Sequence, residues 1–308
     1  MHINSKILLL FFLSSIGFPS LANFKSILSF GENPGELSAS YLIPSDSANS
    51  LVIFLHGCTQ NGELLAEQSG FVALAKKNDF MLLIPQQSEK NNVKSCFNWF
   101  SEIDNEKNKG ENLSLYNMII YFREKTQVNN IYIAGVSAGG AMASVMLVNY
   151  PELFTSAAII SGLPYPCANN LTKAISCMRN GPLQGASFLT KEAIKQQNKK
   201  ASWPTLSIWV GDNDKVVNPI NSTILAKQWI GLFNKPLTVV KTQTESFSHT
   251  LWKDNNQHGV VELFEMNELG HGMMISTKEQ DGGIIAPYLL DSELSSAKEI
   301  IKFWNLVK

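Results

Sequence analysis

No cluster of basic residues occurs anywhere in this 308-residue chain, where 25 Lys and Arg stand against 26 Asp and Glu. Nucleic acid and anionic membrane surfaces draw on such clusters, so neither is expected as a main partner, and a small or uncharged substrate is the simpler expectation. Low-complexity tracts are also missing, and 44% of the residues are hydrophobic, enough at this length to bury a large core. There are only four cysteines and five histidines, with no C-x-x-C pair and no histidine cluster, so no metal is expected. The apolar stretch from Ile7 to Phe18 is too short to span a bilayer comfortably, which argues against stable membrane insertion. With His2 and Lys6 before it and Ser20-Leu21-Ala22 after it, this stretch has the charged, apolar and small-residue order of a signal peptide cleaved after Ala22. Residues 1–22 are therefore set apart. Residues 23–308 are expected to form a single domain, secreted or periplasmic.

An even number of cysteines in an exported chain points to two disulfides. Cys58, Cys96, Cys167 and Cys177 allow three pairings. Local closure favours Cys167 with Cys177, which leaves Cys58 with Cys96.

What is present is an alternation of apolar runs and helical patterns. Leu51–Leu55, Phe80–Ile84, Ile131–Val136, Ala157–Ile160 and Thr205–Val210 read as buried strands, with Pro85 stopping the second, and Val260–Met266 reads as a strand near the sheet edge. Edge strands are expected around Leu37–Leu42. Helices are expected over Gly62–Lys77, Leu113–Lys125, 138–149 and Ile220–Phe233, and from Ser296 with Glu299 completing a capping box. This order predicts an α/β fold with a mostly parallel central sheet and helices on both faces. Residues 164–200 break the rhythm; an insertion of that length either covers a pocket mouth as a lid or decorates the surface.

The chain is organised around residues 131–146, a strand, a sharp turn and a helix. The turn, Gly135-Val136-Ser137-Ala138-Gly139, is the G-x-S-x-G pattern of a nucleophile elbow, in which small neighbours let strand and helix approach while the serine stands clear. Ser137 is the candidate nucleophile. The Ala138 N–H, at a helix N-terminus, is a candidate oxyanion donor. His56-Gly57-Cys58 follows a central strand, where α/β-hydrolases place the second donor, so the Cys58 N–H is the other candidate; His56 itself is read as structural. After the strand Thr205–Val210 come Asp212 and Asp214, which compete as the triad acid. His271, between Gly270 and Gly272 beyond the last strand, is the candidate general base. His249 and His258 lie in polar stretches with no strand to deliver them. Phe97 and Trp99 either wall an acyl pocket beside the Cys58 loop or merely cover the sheet edge. Serine, acid and histidine then stand in the chain order of α/β-hydrolases.

Six segments carry a more specific resemblance: Leu55-His56-Gly57-Cys58-Thr59-Gln60, Cys96-Phe97-Asn98-Trp99-Phe100, Gly135 to Gly140, Gly162-Leu163-Pro164-Tyr165, Gly211 to Val217 and Gly270-His271-Gly272. Together they resemble the poly(3-hydroxybutyrate) depolymerase family of esterases, over about Leu37 to Trp304. The resemblance implies the α/β-hydrolase fold and a secreted serine carboxylesterase that needs no cofactor. It implies Asp214 as the acid, Cys58 as an oxyanion position, and a disulfide from Cys58 near the nucleophile. Val210 stands where such enzymes often carry histidine, outside the triad. Polymer-degrading members tend to carry a linker and a polymer-binding domain, neither of which is legible here, so the expected substrates are hydroxyalkanoate oligomers or short-chain esters. Related feruloyl and acetylxylan esterases make plant polysaccharide esters the alternative. The sequence assigns no oligomeric state.

Overall fold

A computed structural model describes residues 24–197 and 202–308; the expected signal peptide lies outside the described residues, as does the end of the 164–200 insertion. Strands β1 (Lys25–Ile27), β2 (Ser38–Leu42), β3 (Ser50–Leu55), β4 (Met81–Gln86), β5 (Asn130–Val136), β6 (Ser156–Ile160), β7 (Thr205–Gly211), β8 (Thr238–Gln243), β9 (Phe247–Lys253) and β10 (Gly259–Met266) form a ten-stranded sheet in the order β1-β2-β4-β3-β5-β6-β7-β10-β9-β8. From β4 to β10 the neighbours are parallel, and antiparallel strands flank them on both sides. β11 (Met273–Ile275) and β12 (Leu289–Asp291) pair separately.

The helices are α1 (Gly62–Gln68), α2 (Phe71–Asn78), α3 (Glu102–Asn105), α4 (Gly110–Thr126), α5 (Ala138–Asn149), α6 (Leu171–Asn180), α7 (Ala186–Lys195), α8 (Ile220–Phe233) and α9 (Ser296–Phe303). Because side chains alternate across a strand, β3 sends Leu51, Ile53 and Leu55 to one face and Val52 and Phe54 to the other. The first face packs under α4, α5 and α8 through Met118, Ile119, Met142, Leu225 and Trp229. The second packs under α1, α2 and α9 through Leu65, Phe71, Leu74, Ile300 and Ile301. A continuous apolar strand is stable only between two such layers, which is why the central runs lack alternation. The chain has the α/β-hydrolase fold, with helices on both faces of a mostly parallel sheet.

Several expected boundaries are corrected. The helix over 62–77 is two helices, because Gly70 takes φ +90° and passes so close to Asp281 that a Cβ would stand 2.4 Å from its carbonyl oxygen. Pro85 does not end its strand. β3 pairs with β4 only as far as Leu83, leaving one edge of β4 without a ladder partner there, the setting in which a strand tolerates a missing N–H. Val260–Met266, expected near the sheet edge, is third from it, with β9 and β8 lying outside. Ser295 precedes α9 without a side-chain cap and Ser296 Oγ donates to Met274 O at 2.7 Å, so no capping box with Glu299 forms. The 164–197 stretch holds α6 and α7.

Candidate active site

Ser137 joins β5 to α5 with φ 56° and ψ −117°, a conformation that a non-glycine residue adopts only when its surroundings impose it. Here two close approaches impose it. A Cβ on Gly135 would stand 2.3 Å from Gly139 O, and one on Gly139 would stand 2.4 Å from Leu55 O and 2.5 Å from His56 O. Glycine at both places lets α5 start against the end of β3. The Ser137 N–H donates to Ile160 O at 2.9 Å, tying the turn to the neighbouring strand.

Asp214 and His271 arrive from β7 and β10. Asp214 is buried; its Oδ1 accepts the N–H groups of Val216 at 2.8 Å and Val217 at 2.9 Å, and its Oδ2 faces His271 Nδ1 at 2.7 Å. A carboxylate only accepts, so Nδ1 carries the proton and Nε2 is left as acceptor for the Ser137 hydroxyl, 2.8 Å away. The geometry selects Asp214, not Asp212, as the partner of His271. Asp212 instead accepts the Glu268 N–H at 2.7 Å, and Asn213 N donates to Leu269 O at 3.0 Å, so the loop bearing the acid holds the loop bearing the histidine. Ser161, buried at the end of β6, adds a bond from its hydroxyl to Gly272 O at 3.0 Å.

The oxyanion candidates adjoin the serine. Ala138 is the first residue of α5, where N–H groups have no intrahelical acceptor. A Cβ on Gly57 would stand 3.4 Å from the Ser137 Cβ, so the Gly57-Cys58 segment lies against Ser137. Among the described residues the Cys58 N–H finds no acceptor. Cys58 is bonded to Cys96, and Cys167 to Cys177. The second bridge braces the insertion beside the acid loop, where Asn218 N donates to Met178 O at 2.8 Å and Asn221 Nδ2 to Cys177 O at 2.9 Å.

Other expected residues fall elsewhere. His56 is fully buried and its pKa is pushed down to about 4, burial outweighing its bond to Gly57 O. Phe97 is 0% exposed and its ring packs 5.0 Å from that of His56, so it is core and offers no surface to a ligand. Trp99 keeps 5% exposure and stands edge-on to Phe100. His249 is delivered by a strand after all. It lies on β9 with Nε2 3.1 Å from Glu262 Oε2, and its ring stacks on Phe264 at 3.9 Å, away from Ser137. His258 follows β9 in the turn where its N–H donates to Asp254 Oδ1 at 3.0 Å. Among the described residues no three His, Cys, Asp or Glu side chains cluster to hold a metal, and no helix is long and apolar enough to cross a membrane. Glu111 was not marked by the sequence, where it precedes the expected helix Leu113–Lys125; the structure starts α4 at Gly110, which puts Glu111 in its first turn, and buries it.

With this geometry in place, the model of the Esterase PHB depolymerase family matches residues 37–239. The chain belongs to that family. It is 33% identical to poly(3-hydroxyalkanoate) depolymerase C of Paucimonas lemoignei over 291 residues, 91% of this chain and 70% of that protein. The probable acetylxylan esterase A of Aspergillus clavatus is 25% identical over 255 residues, 78% of this chain and 82% of that protein. Among solved structures, an acetyl xylan esterase from Aspergillus awamori superposes with a TM-score of 0.75 at 20% identity, covering 92% of this chain and 99% of that one. As a member of the PHB depolymerase esterases, the chain is a hydrolase of carboxylic ester bonds.

Proposed function

We propose that the protein is a serine carboxylesterase of hydroxyalkanoate oligomers or short-chain esters, working by acyl transfer through Ser137. The observation that carries this is the unbroken hydrogen-bond chain from Ser137 Oγ through His271 to Asp214. Ser137 Oγ attacks the ester carbonyl as His271 Nε2 takes its proton, and Asp214 holds the productive tautomer and stabilises the imidazolium. The N–H groups of Cys58 and Ala138 receive the oxyanion, each contributing roughly 3 kcal/mol at the transition state. The proton on His271 then goes to the departing alcohol, and water repeats the sequence to release the acid. No cofactor takes part in any of these steps.

The described residues act as one catalytic domain in this reading. The 164–197 part of the insertion, braced on the acid loop through Asn218 and Asn221, serves as cover at the mouth of the site. Two disulfides support a secreted or periplasmic protein, since such bonds persist outside the reducing cytosol. The match to acetylxylan esterases over most of their length supports sugar-linked esters as the second reading. Hydrolysis of hydroxybutyrate oligomers, p-nitrophenyl acyl esters, feruloyl sugars and acetylated xylan is the test, with Ser137→Ala as the blank. Turnover of the oligomers or simple esters is expected and should vanish in Ser137→Ala. Wild-type turnover by that variant would overturn the mechanism, and selective cleavage of acetylated xylan would move the assignment to the second reading.

A further inference from the structure

Glu111, in the first turn of α4, is wholly withdrawn from solvent, and its side-chain partners are neutral. Oε2 accepts the Asn98 N–H at 2.8 Å, while Oε1 accepts Asn98 Nδ2 at 2.6 Å and Gln87 Nε2 at 2.5 Å. The nearby charge is another acid, Asp104, whose Oδ1 accepts the Glu111 N–H at 3.1 Å. Burial pushes the Glu111 carboxyl up to about 8. Burying a carboxyl without a counter-ion is unfavourable, and an apolar residue would fill the same volume at lower cost. What its hydrogen bonds hold explains its presence.

One arm runs through Gln87. The backbone N–H of Gln87 donates to His56 Nε2 at 3.1 Å. A backbone N–H can only donate, so Nε2 is the acceptor, the proton of the neutral ring sits on Nδ1, and Nδ1 donates to Gly57 O at 2.7 Å. In a trans peptide the C=O and the N–H point in opposite directions. Holding Gly57 O on the buried side therefore turns the Cys58 N–H of the same peptide outward, on the side where Ser137 lies. The other arm runs through Asn98, whose Oδ1 accepts Asn92 Nδ2 at 2.8 Å and which stands two residues from Cys96, the disulfide partner of Cys58. Between the arms, Thr59 N donates to Lys94 O at 2.6 Å.

We propose that Glu111 is a positioning residue for the oxyanion hole, fixing through Gln87 and His56, and through Asn98 and the Cys58–Cys96 bridge, the peptide that presents the Cys58 N–H to the reacting carbonyl. This rests on the reading of Cys58 as an oxyanion donor. Glu111 and His56 touch no reacting atom; a misaimed donor weakens the transition state while leaving ground-state binding nearly intact.

The test compares Glu111→Gln, His56→Phe and His56→Asn with wild type on p-nitrophenyl butyrate, alongside ¹⁵N NMR of the imidazoles. Glu111→Gln turns an amide NH₂ toward donors and should lower kcat roughly ten-fold or more with KM within about two-fold. His56→Phe, which leaves Gly57 O only the longer bond from the Gln60 N–H at 3.3 Å, should lose about 10²-fold in kcat; His56→Asn, whose Nδ2 reaches the place of Nδ1, should recover roughly ten-fold of it. Should Glu111→Gln fail to fold, Gln87→Met cuts the same arm without touching the backbone N–H, and the same kcat loss is expected. Folded Glu111→Gln or Gln87→Met with kcat within about two-fold of wild type, or His56→Asn no better than His56→Phe, would overturn the proposal. The NMR arm separates this from the esterase reading. The relay requires an Nδ1-protonated, non-titrating His56 near neutral pH whether or not any ester is cleaved, and an Nε2-protonated ring sinks the relay alone. A wild type with the required tautomer and no ester turnover sinks the esterase reading instead.

Discussion

Replacing Gly211 by alanine tests whether the close passage of two loops sets the Ser137–His271 distance. Gly211 ends β7, and a Cβ there would stand 2.2 Å from Leu269 O and 2.5 Å from Gly270 O, backbone atoms with no side-chain freedom to absorb the clash. The first contact must open to at least 3.0 Å, a displacement of about 0.8 Å. β7 is buried between β6 and β10, so the part that gives is the loop carrying His271, one residue further on. A shift of that size can carry the bond to Ser137, now 2.8 Å, past the range of a hydrogen bond. Misplacement of catalytic groups by about 1 Å costs on the order of 10²-fold in rate, about 2.7 kcal/mol. The prediction is a kcat on p-nitrophenyl butyrate lowered roughly 10²-fold in Gly211→Ala, with its circular dichroism unchanged. Gly185→Ala, at a glycine with nothing within 4 Å of its Cβ and an ordinary φ of −71°, is the matched control and should keep wild-type kcat. A folded Gly211→Ala enzyme with kcat within about three-fold of wild type would refute the reasoning.

Asp214→Asn should cost about 10³- to 10⁴-fold in kcat because it loses the acceptor that fixes the His271 tautomer, whereas Asp212→Asn, which touches only the Glu268 N–H, should cost roughly ten-fold or less; a larger loss at Asp212 in steady-state kinetics would reverse the assignment. Stability should also depend on pH through Glu111. Its carboxyl is held up at about 8 against an ordinary 4.5, so between those values the folded chain binds more protons than the unfolded one, and stability falls as pH rises from about 4.5 through about 8. Urea midpoints measured from pH 5 to 8 should therefore fall more for wild type than for Glu111→Gln, and equal slopes would show the carboxyl is not held up. His56 acts in the opposite sense, since its folded pKa of about 4 lies below the ordinary 6.5 and the stability of its neutral form is lost as pH falls between them.

The elbow was legible because its chemistry is local. Only small residues fit where α5 starts against β3, and the pattern Gly135-Val136-Ser137-Ala138-Gly139 records that directly in the sequence. The doubly covered strands were legible for a similar reason, since a strand buried on both faces has no polar alternation to hide it. The split at Gly70 was not legible. Nothing near it in the chain marks the approach of Asp281, and the apolar spacing across 62–77 reads as one helix. β8 lacks the apolar signal that a strand reading depends on because all six of its residues are exposed, and β9, which carries His249, buries only Phe247, so neither strand was legible. The choice between Asp212 and Asp214 was local chemistry with a distant answer. Both aspartates follow β7, and only the arrival of the 267–272 loop decides which one meets the imidazole and which one holds the loop.

The order of strands in space explains why residues so far apart in the chain meet. β3, β5, β6, β7 and β10 lie side by side and parallel, so their carboxyl ends open on one edge of the sheet. Each contributes at that edge: the Cys58 peptide after β3, Ser137 after β5, Ser161 after β6, Asp214 after β7 and His271 after β10. The sheet fixes where each loop starts but not where its side chain points, and the aim comes from bonds between loops. Asp212 and Ser161 tie down the histidine loop, while Gln87 and Asn98, which flank the Cys58 loop, are both bonded to Glu111. The residues that set catalytic geometry are on this argument more numerous than those that touch substrate. Kinetic damage in this enzyme should therefore follow the loop-to-loop bonds rather than distance from Ser137.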